Sequence, residues 1–282
     1  MKKSTEYIHQ QKVNDTIDYI IAHLSDRLTL RLLSERAHVS QRQLLRIMQS
    51  ALDESLHSYI ARQRSERAVL YMQMDDRPIA EIAEMVGYES SQSFGKAFKK
   101  HFGISPRGYM TQLRERLQSH TNECLSSHES PLPSVVSEED DLNLVYIRIL
   151  GKYGEEEPYR IAWDKLLSFL SEKKSISAHT RFIGISFDDP NVTKPTNCRF
   201  YACAKVEGDI TPKGEFGTIR IQGGKYAVYT LIGSQTGLQP LYNRIMLNPG
   251  YIIRHGLAFE EYINHTRGGA EEQTTKIYIP IK

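Results

Sequence analysis

The apolar positions of the first 110 residues follow a helical period, and the pattern occurs twice. Leu30-x-x-Leu33-Ser34-x-x-Ala37-His38-Val39-Ser40-x-x-x-Leu44-x-Arg46-x-Met48 is followed by Ile79-x-x-Ile82-Ala83-x-x-Val86-Gly87-Tyr88-Glu89-Ser90-x-x-x-Phe94-x-Lys96-x-Phe98. From Ser40 and Ser90 onward the copies are offset by 50 residues, so Leu52 pairs with Phe102, Ser55 with Ser105 and Tyr59 with Tyr109. Ahead of the serines the offset is 49, which gives the second copy one extra residue in its turn. The repeated unit is an apolar helix, a short turn, a serine and a second apolar helix, a helix-turn-helix. Two copies in one chain predict a monomer that reads two successive grooves of a DNA duplex.

Val13-x-x-x-Ile17-x-x-Ile20-Ile21-x-x-Leu24 predicts a helix ahead of the first copy. Between the copies, Tyr59-Ile60-x-x-x-Arg64-x-x-x-Ala68-x-Leu70-x-x-Met74 predicts one long helix closing at Asp75-Asp76-Arg77-Pro78, where proline suits the next helix start. A rigid helix holds two reading heads at a fixed separation, and heads on one face of DNA stand about 34 Å apart.

After Leu117 the pattern changes. Ser119 to Asp141 is polar, contains Pro131 and Pro133, and ends in the acidic run Glu138-Glu139-Asp140-Asp141, which reads as a solvated linker and loop. From Leu142 the period becomes two. Leu144 to Ile149 reads as a strand, Ile161 to Leu170 as a helix, and Phe182 to Ile185 and Arg199 to Val206 as strands. The order then repeats, with strand Lys225 to Thr230, helix Gln239 to Met246, and strands Leu257 to Tyr262 and Lys276 to Pro280. The expected architecture is multidomain. It has an all-α tandem helix-turn-helix domain over 1–118, a linker over 119–130, and an α+β domain of two β-α-β-β units over 131–282 whose sheets close around a cavity.

Composition narrows this picture. At 282 residues the chain is long enough for two cores. The net charge of +2 is uneven: residues 1–118 hold 18 Lys+Arg against 14 Asp+Glu, and the remainder 18 against 20. A basic first part suits nucleic acid. The sequence has no run of about 18 apolar residues, so no membrane partner is expected. No apolar stretch follows Met1-Lys2-Lys3, so export is not expected either. Cys124, Cys198 and Cys203 do not make a disulfide framework, which suits the reducing cytoplasm. Cys198 and Cys203 point to opposite faces of a strand-like run, so no metal is expected there, and nothing implies a cofactor.

The second copy, Ile79-Ala80-Glu81-Ile82-Ala83-x-x-Val86-Gly87-Tyr88-x-Ser90-x-x-x-Phe94-x-Lys96-x-Phe98-Lys99-Lys100-x-x-Gly103-x-Ser105-Pro106-x-x-Tyr109, resembles the AraC/XylS family of transcriptional regulators over about residues 8 to 116. The resemblance implies promoter DNA as a partner, with RNA polymerase beside it. Gly87 suits a turn with positive φ, and Ser90 is placed to cap the recognition helix. Residues just after the cap face the major groove, which makes Ser91, Gln92, Ser93 and Lys96 the DNA-binding candidates of the second unit. Gln41, Arg42, Leu45 and Arg46 are those of the first. Gln pairs with adenine and Arg with guanine, each worth about 1–3 kcal/mol of discrimination, whereas Leu45 offers only apolar contact. Lys99, Lys100 and His101 suit phosphates, and Phe94, Phe98, Leu44 and Met48 suit the core. The first unit departs from the pattern, with His38 at the place of Gly87 and Ser34 at that of Ala83.

Trp163-x-x-Leu166, Gly184-Ile185-Ser186-x-Asp188-Asp189-Pro190, Cys198-Arg199-x-Tyr201-Ala202, Gly223-Gly224-Lys225-Tyr226-Ala227-Val228-Tyr229, Phe259-Glu260-x-Tyr262 and Ile277-Tyr278-Ile279-Pro280 together resemble the GyrI-like effector-binding domain over about residues 131 to 282. The resemblance implies a cavity for lipophilic, often cationic, small molecules around a central glutamate, here Glu260. In a strand Glu260 shares a face with Ala258 and Tyr262, while Glu261 points the other way with Leu257 and Phe259. Tyr146, Trp163, Tyr201 and Tyr229 are the candidate walls, each with core packing as its alternative. Relatives often carry a tryptophan near the end of the second helix; here Met246 stands in as a softer wall. Some relatives resemble hydrolases, but this chain has no nucleophile elbow, metal-ligand spacing or phosphate loop, so it is read as a non-enzyme. A ligand-free protein-docking module is the third reading.

Overall fold

The computed structural model describes residues 2–74, 77–115, 132, 134–177, 179–206, 210–247, 250–254, 256–264 and 273–282. The chain divides into two compact units, Met1–Ser119 and His120–Lys282. The expected linker 119–130, Cys124 and the Asp75-Asp76 pair fall outside the described residues.

The first unit comprises α1 (Lys2–Ala22), α2 (Leu30–Arg36), α3 (Gln41–Leu52), α4 (Leu56–Met74), α5 (Ile79–Met85), α6 (Ser91–Phe102) and α7, over residues 106–115. The sequence repeat is a repeat of capping chemistry. Ser40 Oγ accepts the Gln43 N–H at 3.2 Å and Ser90 Oγ the Ser93 N–H at 3.2 Å, which closes the starts of α3 and α6. Each such cap contributes about 1 kcal/mol. Both helices stop at left-handed residues, Asp53 at φ 54° and Gly103 at φ 76°. Fifty residues apart again, Ser55 Oγ accepts from the Ser58 N–H at 3.1 Å and Ser105 Oγ from the Gly108 N–H at 3.2 Å. The turns into α3 and α6 differ by one residue in length but open alike, since His38 takes φ 51° where Gly87 takes φ 86°. Histidine there costs about 1–2 kcal/mol that glycine avoids. Lys12 Nζ, reaching across from α1, donates to the Ala37 and His38 carbonyls and holds that turn.

Among its described residues the second unit has one sheet of eight strands and two α-helices. The strands are β1 (Val135–Glu139), β2 (Leu142–Leu150), β3 (Phe182–Ser186), β4 (Arg199–Lys205), β5 (Phe216–Ile221), β6 (Gly224–Ile232), β7 (Phe259–Tyr262) and β8 (Thr274–Pro280). The helices are α8 (Glu156–Glu172) and α9 (Leu238–Leu247). The strand order β1-β6-β8-β7-β3-β4-β2-β5 is antiparallel throughout and palindromic, with β7 and β3 at the centre. Both β-α-β-β units are present, but they share one sheet, which corrects the expectation of several sheets around a cavity.

Two strands escaped the period-two reading, β1 and β5, and they are exchanged between the halves. β1 precedes β2 yet pairs with β6; β5 precedes β6 yet pairs with β2. The acidic run expected to be a loop is therefore partly strand. Glu139 ends β1 and accepts from Arg181 Nη1 at 2.9 Å. The exchange forces the β1–β2 and β5–β6 turns to cross, which curls the sheet so that its opposite ends meet. Asp141 accepts the Gly223 N–H at 2.7 Å and pairs with Arg220.

The two faces carry different cores. α8 presents Ala162, Trp163, Leu166, Phe169 and Leu170, one helical stripe, to Ile147, Ala202 and Phe216. α9 covers Tyr229, Ile277 and Ile279 on the same face. The other face, inside the curl, is filled by Leu144, Tyr146, Ile183, Tyr201, Cys203, Tyr226, Phe259 and Tyr278.

A Cβ on Gly223 would lie 2.5 Å from the Glu139 carbonyl oxygen, and both are backbone of crossing segments. Gly223→Ala is expected to destabilise the second unit by about 1–3 kcal/mol, as overpacking does, with the loss read in urea unfolding. An unchanged midpoint would mean that the crossing is loose.

Candidate functional site

The exposed faces of α3 and α6 are built by their buried ones. Leu44, Ile47 and Met48 anchor α3, which leaves Gln41, Arg42, Leu45, Arg46 and Gln49 exposed. Phe94 and Phe98 anchor α6, which leaves Ser91, Gln92, Ser93, Lys96, Lys99 and Lys100 exposed. All eight expected DNA-binding residues therefore lie on the outer surfaces of their helices. Ser93 differs from the others: its Oγ donates to the Ser90 carbonyl at 2.8 Å and lies 3.0 Å from Ser90 Oγ, so this hydroxyl already belongs to the cap. Gln49, not among the expected residues, is exposed on the same helical stripe as Arg42, Leu45 and Arg46.

In the second unit one cross-strand row runs under both helices: Tyr229, Ile277, Glu260, Gly184, Ala202, Ile147 and Phe216, on β6, β8, β7, β3, β4, β2 and β5 in turn. Glu260 is the one carboxylate in that row and is 3% exposed. Its partners are hydroxyls. Tyr262 Oη donates to Oε2 at 2.5 Å, Tyr242 Oη of α9 donates to Oε1 at 3.2 Å, and Ser186 Oγ lies 3.4 Å from Oε1. Gly184, across from Glu260, makes room for this arrangement, because a Cβ there would lie 2.4 Å from Tyr262 Oη and 2.7 Å from the Phe200 ring. Trp163 meets the Tyr262 ring edge to face at 5.6 Å.

Burial pushes the Glu260 carboxyl above the usual carboxylate range, although all three hydroxyls pull it down. The Tyr242 and Tyr262 hydroxyls are driven well up, first by burial and then by the charge of Glu260. Glu261, one residue on, lies on the opposite face as expected. Arg181 grips it through Nε at 2.7 Å and Nη2 at 2.9 Å, and Tyr278 Oη donates at 2.7 Å. Burial alone would raise Glu261, but Arg181 and Tyr278 outweigh it and the carboxyl is lowered.

The structure divides the five expected effector residues. Glu260, Trp163 and Tyr229 share the helix-covered face, with Tyr229 separated from Glu260 by Ile277. Tyr146 and Tyr201 do not wall this site. They neighbour Ile147 and Ala202, which belong to the row, so strand alternation turns both to the other face. There the two rings stack at 4.2 Å and accept from Arg148, Tyr201 Oη at 2.8 Å and Tyr146 Oη at 3.0 Å. Met246 is no wall either: it is 58% exposed, and Tyr242, one helical turn earlier, is the α9 residue that reaches Glu260. Sequence reasoning missed Tyr242 and Ser186 as partners. Tyr262 was legible, since it stands two residues from Glu260 on one strand.

Residues 133–282 match the GyrI-like small molecule binding domain, and residues 33–112 match a helix-turn-helix domain. The chain is 24% identical over 274 residues to the Right origin-binding protein of Escherichia coli, covering 89% of each chain. It is 29% identical over 105 residues to Regulatory protein SoxS of Salmonella typhimurium, 37% of this chain and 98% of SoxS. It is also 29% identical over 97 residues to the probable transcriptional regulator LumQ of Photobacterium leiognathi, 34% of this chain but only 39% of the length of LumQ.

The two adjacent glutamates should titrate stability in opposite directions. A carboxylate whose folded pKa is raised destabilises the fold as it ionises, so Glu260→Gln should match wild type near pH 4 and exceed it in melting temperature as pH rises. A lowered one stabilises above its unfolded pKa, so Glu261→Gln should melt below wild type at pH 7, with the gap closing as pH falls. The neutral-pH loss should be about 2 kcal/mol, less than for a fully buried ion pair because Arg181 is partly solvated. Parallel pH profiles for the two variants would contradict the assignment of faces.

On the DNA side, Arg46→Ala should lower specific affinity about tenfold and Leu45→Ala only about twofold, since arginine alone makes a bidentate base contact. Gel shifts on a selected site give the comparison; equal effects would show that α3 docks in another orientation.

Proposed function

Because this chain belongs to the GyrI-like small molecule binding domain family through residues 133–282, carried behind an AraC-type helix-turn-helix module, we propose that it is a transcriptional regulator sensing a lipophilic cation at Glu260. The coarser function rests on the relatives: it is an AraC-type DNA-binding transcriptional regulator with a small-molecule-binding domain. The cation is the finer reading, and one observation carries it. Glu260 is buried in an apolar row and is met by three hydroxyls, so among the described residues its charge is solvated by dipoles and not by a cation.

A ligand cation entering this site removes the electrostatic cost of burial, and the rings of Tyr262 and Trp163 supply apolar and cation–π contact. A neutral ligand of the same shape gains the contact without the charge, so the site discriminates by charge as well as by shape. In this reading α3 and α6 hold promoter DNA through Gln41, Arg42, Leu45, Arg46, Ser91, Gln92 and Lys96. RNA polymerase is the partner at the promoter, and the protein works in the cytoplasm. Among the described residues no helix is long and apolar enough to cross a membrane. The domain is read as a sensor and not a hydrolase because the relatives are regulators.

Titration of the full chain with tetraphenylphosphonium, and with neutral triphenylphosphine oxide as control, tests the reading. Glu260→Gln is expected to weaken the cation at least about tenfold, as loss of a poorly screened ion pair should, and to leave the neutral compound within about twofold. Cation affinity of the wild type should fall as pH drops through the raised pKa of Glu260, because only the ionised form attracts a cation. Equal cation binding by wild type and Glu260→Gln would overturn the proposal.

A further inference from the structure

The second reading head is braced by a side chain that also grips the first. Arg64 stands in the middle of α4, the helix between the two helix-turn-helix units. Its Nε donates to the Leu24 carbonyl at 2.9 Å and its Nη2 to the Asp26 carbonyl at 2.7 Å, both in the segment between α1 and α2. Its guanidinium also lies 5.3 Å from the centre of the Tyr88 ring, in the turn that leads into α6. Gly87 completes the contact: a Cβ on it would fall 2.4 Å from the Leu24 carbonyl oxygen and 2.7 Å from Arg64 Nη2. The turn is therefore pressed against both the arginine and the segment that leads into the first unit.

The two units are not braced alike. In the first, the turn into α3 is held by Lys12 of α1, whose contacts, Ala37 and His38, lie within the same unit. In the second, the brace comes from α4 and is tied by two hydrogen bonds to backbone that belongs to the other unit. A planar guanidinium can donate along two directions while stacking on a ring; an ammonium cannot do all three. The turn it packs against ends at Ser90, the cap of α6, so the angle of α6 relative to α3 passes through this contact.

We propose that Arg64 is a positioning residue that sets the rotational phase between α3 and α6, and with it the spacing of the two half-sites the protein accepts on DNA. Arg64 itself reads no base in this account. One inserted base pair moves a half-site by about 3.4 Å and turns it by about 35°, so a rigid pair of heads must discriminate strongly among spacings.

The test uses the full chain and a DNA site selected by the wild type from a random pool. Variants of that site carry one base pair added or removed between the halves, or one substitution within a half. Wild type is expected to lose about thirtyfold or more in affinity on a one-base-pair change of spacing, comparable to a base mismatch in a half-site. Arg64→Ala should flatten that dependence to about fivefold or less while keeping the wild-type penalty for substitutions within each half. Gly87→Ala, whose Cβ displaces the guanidinium, should behave in the same way. Arg64→Lys keeps the charge with a single donor group, should be intermediate, and decides the matter if Arg64→Ala does not fold. A wild-type spacing profile in the folded variants would overturn the proposal, and so would equal loss of spacing and base discrimination.

Discussion

The C-terminal unit takes its shape from two chain segments that must pass each other at Gly223. Because β1 completes the half that contains β6 and β5 completes the half that contains β2, neither half closes its sheet with its own leading strand. The turns that make this exchange lie in backbone contact, tied by Asp141 to the Gly223 N–H. With the ends of the sheet fixed there, the palindromic order leaves β3 and β7 side by side at the centre, and the row through Glu260 and Gly184 spans both halves. A carboxylate at that seam is within reach of Tyr242 from α9 and of Tyr262 and Ser186 from the two central strands. The site therefore draws on both halves: the later one supplies Glu260, Tyr262 and Tyr242, and the earlier one supplies Ser186 and the space at Gly184.

Much of this was legible in the sequence, and the reasons are local. The repeat was readable because serine caps, left-handed stops and buried aromatics recur at fixed offsets, and each has a backbone requirement that few residues meet. The faces of Glu260 and Glu261 were readable because a strand alternates. The partners on other elements were not. Tyr146 and Tyr201 have the composition of pocket walls, but an aromatic ring on either face of a doubly covered sheet looks the same in sequence. β1 was hidden for a different reason: Glu138 and Glu139 look solvated, yet Glu139 is drawn into the sheet edge by Arg181, which is 42 residues away in sequence.

In the helical unit the two copies show how one plan tolerates different residues. His38 and Gly87 take the same left-handed backbone, but only the second position is crowded by a carbonyl and a guanidinium. Histidine therefore survives in the first turn, where the space beside the backbone is open enough for a side chain and Lys12 satisfies the neighbouring carbonyls. The second position leaves no such choice. At this position the residue changes with the packing around the turn, while its left-handed backbone is kept.

The exchanged strand also decides where the covalent tether from the helical unit is anchored. The chain reaches the sheet through β1, and β1 is stitched along its length to β6, not to the strand that follows it. β6 in turn is paired with β8, and β8 with β7, the strand that holds Glu260. Viewed as a load path, a pull on the tether is borne first by the half of the sheet that lies later in the chain and carries the buried carboxylate. The β1–β2 corner that leads on to the other half is clamped to its crossing partner by Asp141. Sequence order and mechanical order therefore run in opposite directions through this domain.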